Sequence, residues 1–194
     1  MTSVRQATTA DLARVCRTAQ VAFAADPLMH WLYPDDDEYR TQSPGAWYHL
    51  ARRSITLGCT YTTDDAVAIG MYFPPGRPEV EVDDVAVPGV LAPSEELRAK
   101  FAALGEVMHA HIPADEHWYL NVLATHPDWQ RQGYGAAIIA PVAEICRRDG
   151  LPLYLETQTA ANVAYYRHLG FEVRSEFDLP LDGPHMWGML KEPA

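Results

Sequence analysis

The stretch Val122-Leu123-Ala124-Thr125-His126-Pro127-Asp128-Trp129-Gln130-Arg131-Gln132-Gly133-Tyr134-Gly135 constrains this chain most. Residues 118–124 are apolar apart from Asn121, as a buried strand would be. After Gly135, the residues Ile138, Ile139, Val142, Ile145 and Cys146 recur at helical spacing. Between strand and helix, Gly133 and Gly135 permit a tight turn and let the backbone come close to a ligand. The amides that open a helix have no partner within it and lie at its positive end. Such a turn can hold a pyrophosphate. The plain alternative is a glycine-bearing turn with no ligand. A dinucleotide-binding fingerprint would need a third glycine where Ile138 stands, and a P-loop would need a Gly-Lys-Ser/Thr that is absent.

The 194 residues suffice for one domain with a hydrophobic core. No stretch reaches the length of a membrane span, and residues 1–6 are too polar for a secretory signal. Cys16, Cys59 and Cys146 are odd in number and far apart, which argues against a disulfide framework. Cys16 and Cys146 fall in register with apolar neighbours and read as small core residues. The expectation is a soluble protein of a reducing cytoplasm, with no membrane partner. A formal net charge of −11 argues against nucleic acid as a partner. It would steer a cationic substrate, although acidity also serves solubility alone.

In chain order, a short strand is expected over residues 4–7. A helix capped by Thr8 or Thr9 follows to about Ala25, with Leu12, Val15, Cys16, Ala19 and Phe23 on one face. Asp26-Pro27 stops it. The patch Leu28-Met29-His30-Trp31-Leu32-Tyr33 either lines a substrate pocket or forms a short helix closing the core. Asp35-Asp36-Asp37-Glu38 reads as a helix start rather than a metal cluster, because consecutive acids point in different directions. The helix it opens should run to Leu57, with a break available at Ser43-Pro44-Gly45. Residues 60–63 and 66–73 read as two strands. Residues 74–93 hold five prolines and read as a long loop, with a short strand at 80–82. A helix should start at Ser94 and end near His109. Further on, strands are expected at 118–124, 151–157, 171–177 and 185–190. Helices are expected to about Arg148, kinked at Pro141, and over 162–169.

A second motif follows the first by about 30 residues: Leu155-Glu156-Thr157, then Asn162, Tyr165-Tyr166 and Gly170-Phe171. His126-Pro127 with Gln130-x-x-Gly133-x-Gly135, followed by this strand–Asn–Tyr–Gly-Phe series, resembles the GCN5-related N-acetyltransferases. Leu155-Glu156-Thr157, Gly183-Pro184 and Met186-Trp187 are similar to the puromycin N-acetyltransferase-like branch, as is the segment from Ala22 to Pro27. The resemblance is specific over residues 118–171 and touches most of the chain.

It implies a single α/β acetyltransferase domain over 1–194, with a mixed, mostly antiparallel central sheet flanked by helices and a cofactor-binding core at about 118–171. The implied cofactor is acetyl-CoA, with CoA as product. The implied reaction is direct attack by a primary amine of a small molecule in a ternary complex. A protein N-terminus or lysine as acceptor, and an acyl-CoA-binding sensor without turnover, are the alternatives. No metal is implied, and dimers are common in the family. The backbone of Leu123, Ala124 and Thr125 would pair with the pantetheine arm. Gln130, Arg131, Gln132, Gly133, Tyr134, Gly135 and Ala136 would hold the pyrophosphate, and Asn162 and Tyr166 would also face the cofactor. Tyr166 is the implied general acid, since a phenol stays protonated at neutral pH and can donate to a leaving thiolate. Packing with Leu169 is assigned instead to Tyr165, and a helix cap is the plain alternative for Asn162. Glu156 is the first candidate for base, with Asp26 and His117 as rivals and Asn121 as a water-positioning group. Asp26, Trp31, Tyr33, Asn121 and Glu156 are the candidate substrate contacts.

Overall fold

Short stretches rich in β-branched and aromatic residues alternate with amphipathic ones, and the chain sorts them into one sheet between helices. The computed structural model describes residues 3–76 and 92–193. Among the described residues seven strands are formed: β1 (Val4–Gln6), β2 (Thr60–Thr63), β3 (Ala68–Phe73), β4 (Trp118–Thr125), β5 (Leu153–Thr157), β6 (Glu172–Asp178) and β7 (His185–Lys191). They lie in the order β1-β2-β3-β4-β5-β7-β6. Only β4 and β5 run parallel; the other neighbours are antiparallel. The helices are α1 (Leu12–Ala22), α2 (Pro27–Leu32), α3 (Asp36–Thr56), α4 (Glu95–His111), α5 (Tyr134–Asp149) and α6 (Ala160–His168).

Each face of the sheet has its own core. Val15 and Ala19 of α1, with Trp47, Ala51 and Ile55 of α3, pack on Ile69, Met71, Val122 and Ala124. On the other face Ile139, Val142 and Cys146 of α5, with Val163 and Tyr166 of α6, pack on Tyr72, Leu120, Leu153 and Leu155. The Tyr72 hydroxyl donates to the Ile138 carbonyl at 3.0 Å and so pins α5 to the sheet. A third cluster joins Trp31, Leu32 and Tyr33 at α2 and Leu97 of α4 to Phe177, Leu179 and Met186.

Two irregularities of β4 open the sheet and set which way its side chains face. The parallel register of β4 with β5 runs from Trp118↔Leu153 to Leu120↔Leu155 and stops there. Against β3, Met71 faces Val122 and the next residue, Tyr72, faces Leu120, so Asn121 is the extra residue of a bulge. The bulge reverses the alternation of the strand. Leu120 faces the α5 core, while Val122 and Ala124 face the α1–α3 core. An unbroken strand would have put all three on one side.

Several elements depart from the sequence expectation. α1 ends at Ala22 rather than Ala25, and the chain then turns with the Asp26 N–H on the Phe23 carbonyl at 3.0 Å. α3 runs unbroken through Pro44. Proline removes the amide that would bond the carbonyl four residues earlier, that of Arg40. The Gln20 side-chain amide donates to that carbonyl instead, at 3.3 Å. α5 holds Pro141 within one helix, as the sequence reading has it. α4 extends to His111, and α6 begins at Ala160. Helix starts follow side-chain chemistry: Asp35 accepts from the amides of Asp37 and Glu38, and Ser94 from that of Leu97. The strand expected at 80–82 lies outside the described residues. Among the described residues no helix is long and apolar enough to cross a membrane.

Candidate active site

Where β4 and β5 stop pairing, the sheet opens. A cavity of about 220 Å3 lies at this opening, lined by Phe23 just after α1 and by residues of α2, α3, α4, β4, β5, α6 and β7. Seven of the residues singled out in the sequence meet there: Asp26, Tyr33, Asn121, Leu123, Glu156, Asn162 and Tyr166.

Tyr166 reaches the wall from α6. Thr159 caps that helix through its hydroxyl, which accepts from the Asn162 amide at 3.2 Å. The cap is therefore Thr159 and not Asn162, and Asn162 lies one turn before Tyr166, on the cavity side of the helix. Tyr166 is buried, its ring 5.6 Å from that of Phe171. Burial, followed by the nearby Tyr165 and Asp26, pushes the Tyr166 phenol above its ordinary value and holds its proton on. Tyr165 does not take the core position expected of it. It is 39% exposed and its hydroxyl lies against Gly135, where a side chain would collide with it.

Asp26 sits between α1 and α2. Its Oδ1 accepts from the amides of Leu28 and Met29, at 2.9 and 3.3 Å, so it caps α2. Its Oδ2 accepts from the side-chain amide of Gln158. Burial raises the Asp26 pKa, and these hydrogen bonds and His30 act in the opposite direction. Glu156 is half-buried near the end of β5, two residues before Gln158. Asn121, the bulge residue, donates from Nδ2 to the Tyr119 hydroxyl at 2.9 Å. Two sequence candidates lie elsewhere. The Trp31 indole N–H donates to the Leu181 carbonyl at 2.9 Å, and Trp31 belongs to the α2–α4 core rather than to the cavity lining. His117 precedes β4 and donates from Nδ1 to the Asp115 carbonyl at 2.7 Å, with its ring against Tyr154. It does not line the cavity.

Beyond β4 the backbone itself is the functional surface. A short 3-10 turn, Pro127–Trp129, carries the chain to Gln130, whose side-chain amide donates to the Thr125 carbonyl at 3.2 Å. Arg131 and Gly133 both take the left-handed conformation, with φ of 61° and 84°. Alternation of this kind turns successive N–H groups into one concavity, which favours an anion. The Ala137 amide bonds the Gly133 carbonyl at 3.1 Å, so the amides of Tyr134, Gly135 and Ala136 precede the helical ladder. Gln132, Gly133 and Arg131 are exposed around them. These amides fit a pyrophosphate. Among the described residues the edge of β4 facing β5 has no strand partner from Asn121 to Thr125, and it fits an amide-bearing arm such as pantetheine. Leu123 of that stretch lines the cavity; Ala124 and Thr125 do not.

Residues 99–171 match the model of the Acetyltransferase (GNAT) family. An uncharacterized N-acetyltransferase of Schizosaccharomyces pombe is 33% identical over 81 residues, 41% of this chain and 33% of that protein. The match thus spans about a third of that relative's length. A Corynebacterium glutamicum structure described as histone acetyltransferase HPA2 and related acetyltransferase superposes with a TM-score of 0.71 at 22% identity. It covers 100% of this chain and 98% of that chain. The PaiA N-acetyltransferase of Thermoplasma acidophilum, in complex with coenzyme A, superposes with a TM-score of 0.56 at 12% identity, covering 99% of each chain. The chain has the GNAT acetyltransferase fold.

Within this GNAT fold, the cavity also holds residues that the sequence did not single out as functional. Gln158 is the clearest. Its signal was its place two residues after Glu156, at the end of a strand, where alternate residues share a face. Tyr119, Trp47 and Phe101 also line the cavity. Nothing local marks them, because their positions depend on how α3 and α4 pack across the sheet.

Proposed function

We propose that this chain transfers the acetyl group of acetyl-CoA to the primary amine of a small molecule, in a ternary complex. The observation that carries the reading is the opening between β4 and β5, with buried Tyr166 and half-buried Glu156 in one cavity wall. Acetyl-CoA would supply the acetyl thioester. The amides at 131–136 and the edge of β4 would hold it, with Asn162 beside Tyr166. Glu156 takes a proton from the incoming amine, whose freed lone pair forms the C–N bond. Tyr166 gives its phenolic proton to the sulfur as the C–S bond breaks and regains one from the acylated nitrogen, which leaves the neutral amide; burial keeps the phenol protonated for the transfer. Asp26, Tyr33 and Asn121 contact the acceptor. Leu155-Glu156-Thr157, Gly183-Pro184, Met186-Trp187 and the segment from Ala22 to Pro27 support placing the chain near the puromycin N-acetyltransferase-like branch. A cavity walled by several elements from both sides of the sheet supports a small acceptor over a peptide.

Calorimetric titration with acetyl-CoA, followed by thiol release over a panel of amines including puromycin and a peptide with a free N-terminus, tests this. Saturable binding with turnover on a small amine is expected. Turnover on the peptide alone would move the acceptor to protein. Binding without turnover on any amine would make the chain an acyl-CoA sensor.

A further inference from the structure

The charge inside the cavity is one-sided. Among the described lining residues the carboxylates are Asp26 and Glu156, and no lysine, arginine or histidine is present. Most of the remaining lining is apolar: Phe23, Trp47 and Leu50 from one side, Phe101, Leu104 and Met108 of α4 from another. Asp26 is held rigidly, with Oδ1 on two amides of α2 and Oδ2 on Gln158. A carboxylate offers about four acceptor directions, so Oδ2 keeps room for one more donor. An ammonium brought there would find a negative partner of fixed position in a partly desolvated site, where charge pairing is stronger than in water. A second anionic group on the same molecule would find, among the described lining residues, no cation to meet it and two carboxylates to repel it.

We infer that the acceptor is a lipophilic monoamine carrying no carboxylate or phosphate, and that Asp26, braced by Gln158, is the residue that positions its ammonium. The inference deepens the acetyltransferase reading and rests on it for the fate of the amine. An apolar body fills the space between α3 and α4, and the amine points toward Asp26 and Glu156. Amino acids are turned away by their carboxylate, although their side chains would fit.

The test compares 2-phenylethylamine with phenylalanine, which differs from it only by the carboxylate. Each is titrated calorimetrically into the full chain in the presence of CoA, and thiol release from acetyl-CoA is followed separately. The amine is expected to bind roughly tenfold or more tighter than the amino acid. Asp26→Asn, which keeps a good cap for α2, is expected to weaken amine binding roughly tenfold while leaving acetyl-CoA affinity unchanged. Gln158→Ala should weaken it less, because the charge stays and only its bracing goes. Equal or tighter binding of phenylalanine overturns the inference, as does amine affinity unmoved by Asp26→Asn, or no saturable amine binding. The binding arm reads the inference and the thiol-release arm reads acetyl transfer, so each can fail alone.

Discussion

At the α5 end of the cleft the groups proposed to bind are backbone amides from a few consecutive residues, 131–136; at the α2 end they are side chains brought from across the chain. The first set takes its shape from left-handed φ angles at Arg131 and Gly133. The second depends on Asp26 and Gln158, 132 residues apart, meeting through a hydrogen bond. The difference teaches where variation is tolerated. Backbone amides can recognise a phosphate with most neighbouring side chains, provided none adds a negative charge beside it, whereas the acceptor end can change its substrate through one or two side chains. The bulge at Asn121 joins the two: it lies where the pairing of β4 with β5 ends, and it redirects the strand's faces.

Reaction and recognition should separate along this line. The largest effect is expected at the wall that both ends share. Tyr166→Phe should lower kcat by about 10²–10⁴-fold with acetyl-CoA affinity unchanged, and Glu156→Gln should act in the same direction and less strongly. Steady-state kinetics beside calorimetry would show it; an unchanged kcat removes the residue from the chemistry. A smaller effect is expected from pH. Burial raises the Asp26 pKa, so the carboxylate gains its proton at a higher pH than an exposed aspartate does. The amine KM should therefore rise as pH falls, and Asp26→Asn should flatten that acid limb of a kcat/KM profile. A limb that survives the substitution belongs to another group. The smallest effect concerns α6. Thr159→Ala removes its cap and should cost about 1 kcal/mol of stability, seen as a modest drop in Tm, with acetyl-CoA binding retained. Loss of acetyl-CoA binding would mean that α6 holds the cofactor more tightly than α5 does.

The same contrast explains what could be read from the sequence. Gly133 and Gly135 were legible because a left-handed turn and a close approach are local demands on local residues. The apolar period of α5 and the strand–helix–strand order around Tyr166 were legible for the same reason. Trp31 misled because an aromatic beside a turn looks the same whether it faces a pocket or, as here, caps a core and bonds the Leu181 carbonyl. Tyr165 was expected in the core and is not there, because adjacent helical positions differ by about 100° and only tertiary packing says which side is buried. The bulge at Asn121 was hidden, since it exists only relative to the register of β3. Gln158 had a local signal in its place two residues after Glu156, but its partner, Asp26, lies in another element and was hidden.

The most direct measurement is a calorimetric titration of acetyl-CoA into the wild-type chain and into Gly133→Asp. A Cβ at Gly133 meets nothing within 4 Å, and aspartate is among the residues that tolerate a left-handed φ, so the variant should fold. Its carboxylate would stand beside the amides assigned to the pyrophosphate. The account predicts saturable binding by the wild type and an affinity roughly tenfold or more lower in the variant, with amine binding the same in both. No binding by the wild type, or equal binding by both, would contradict it.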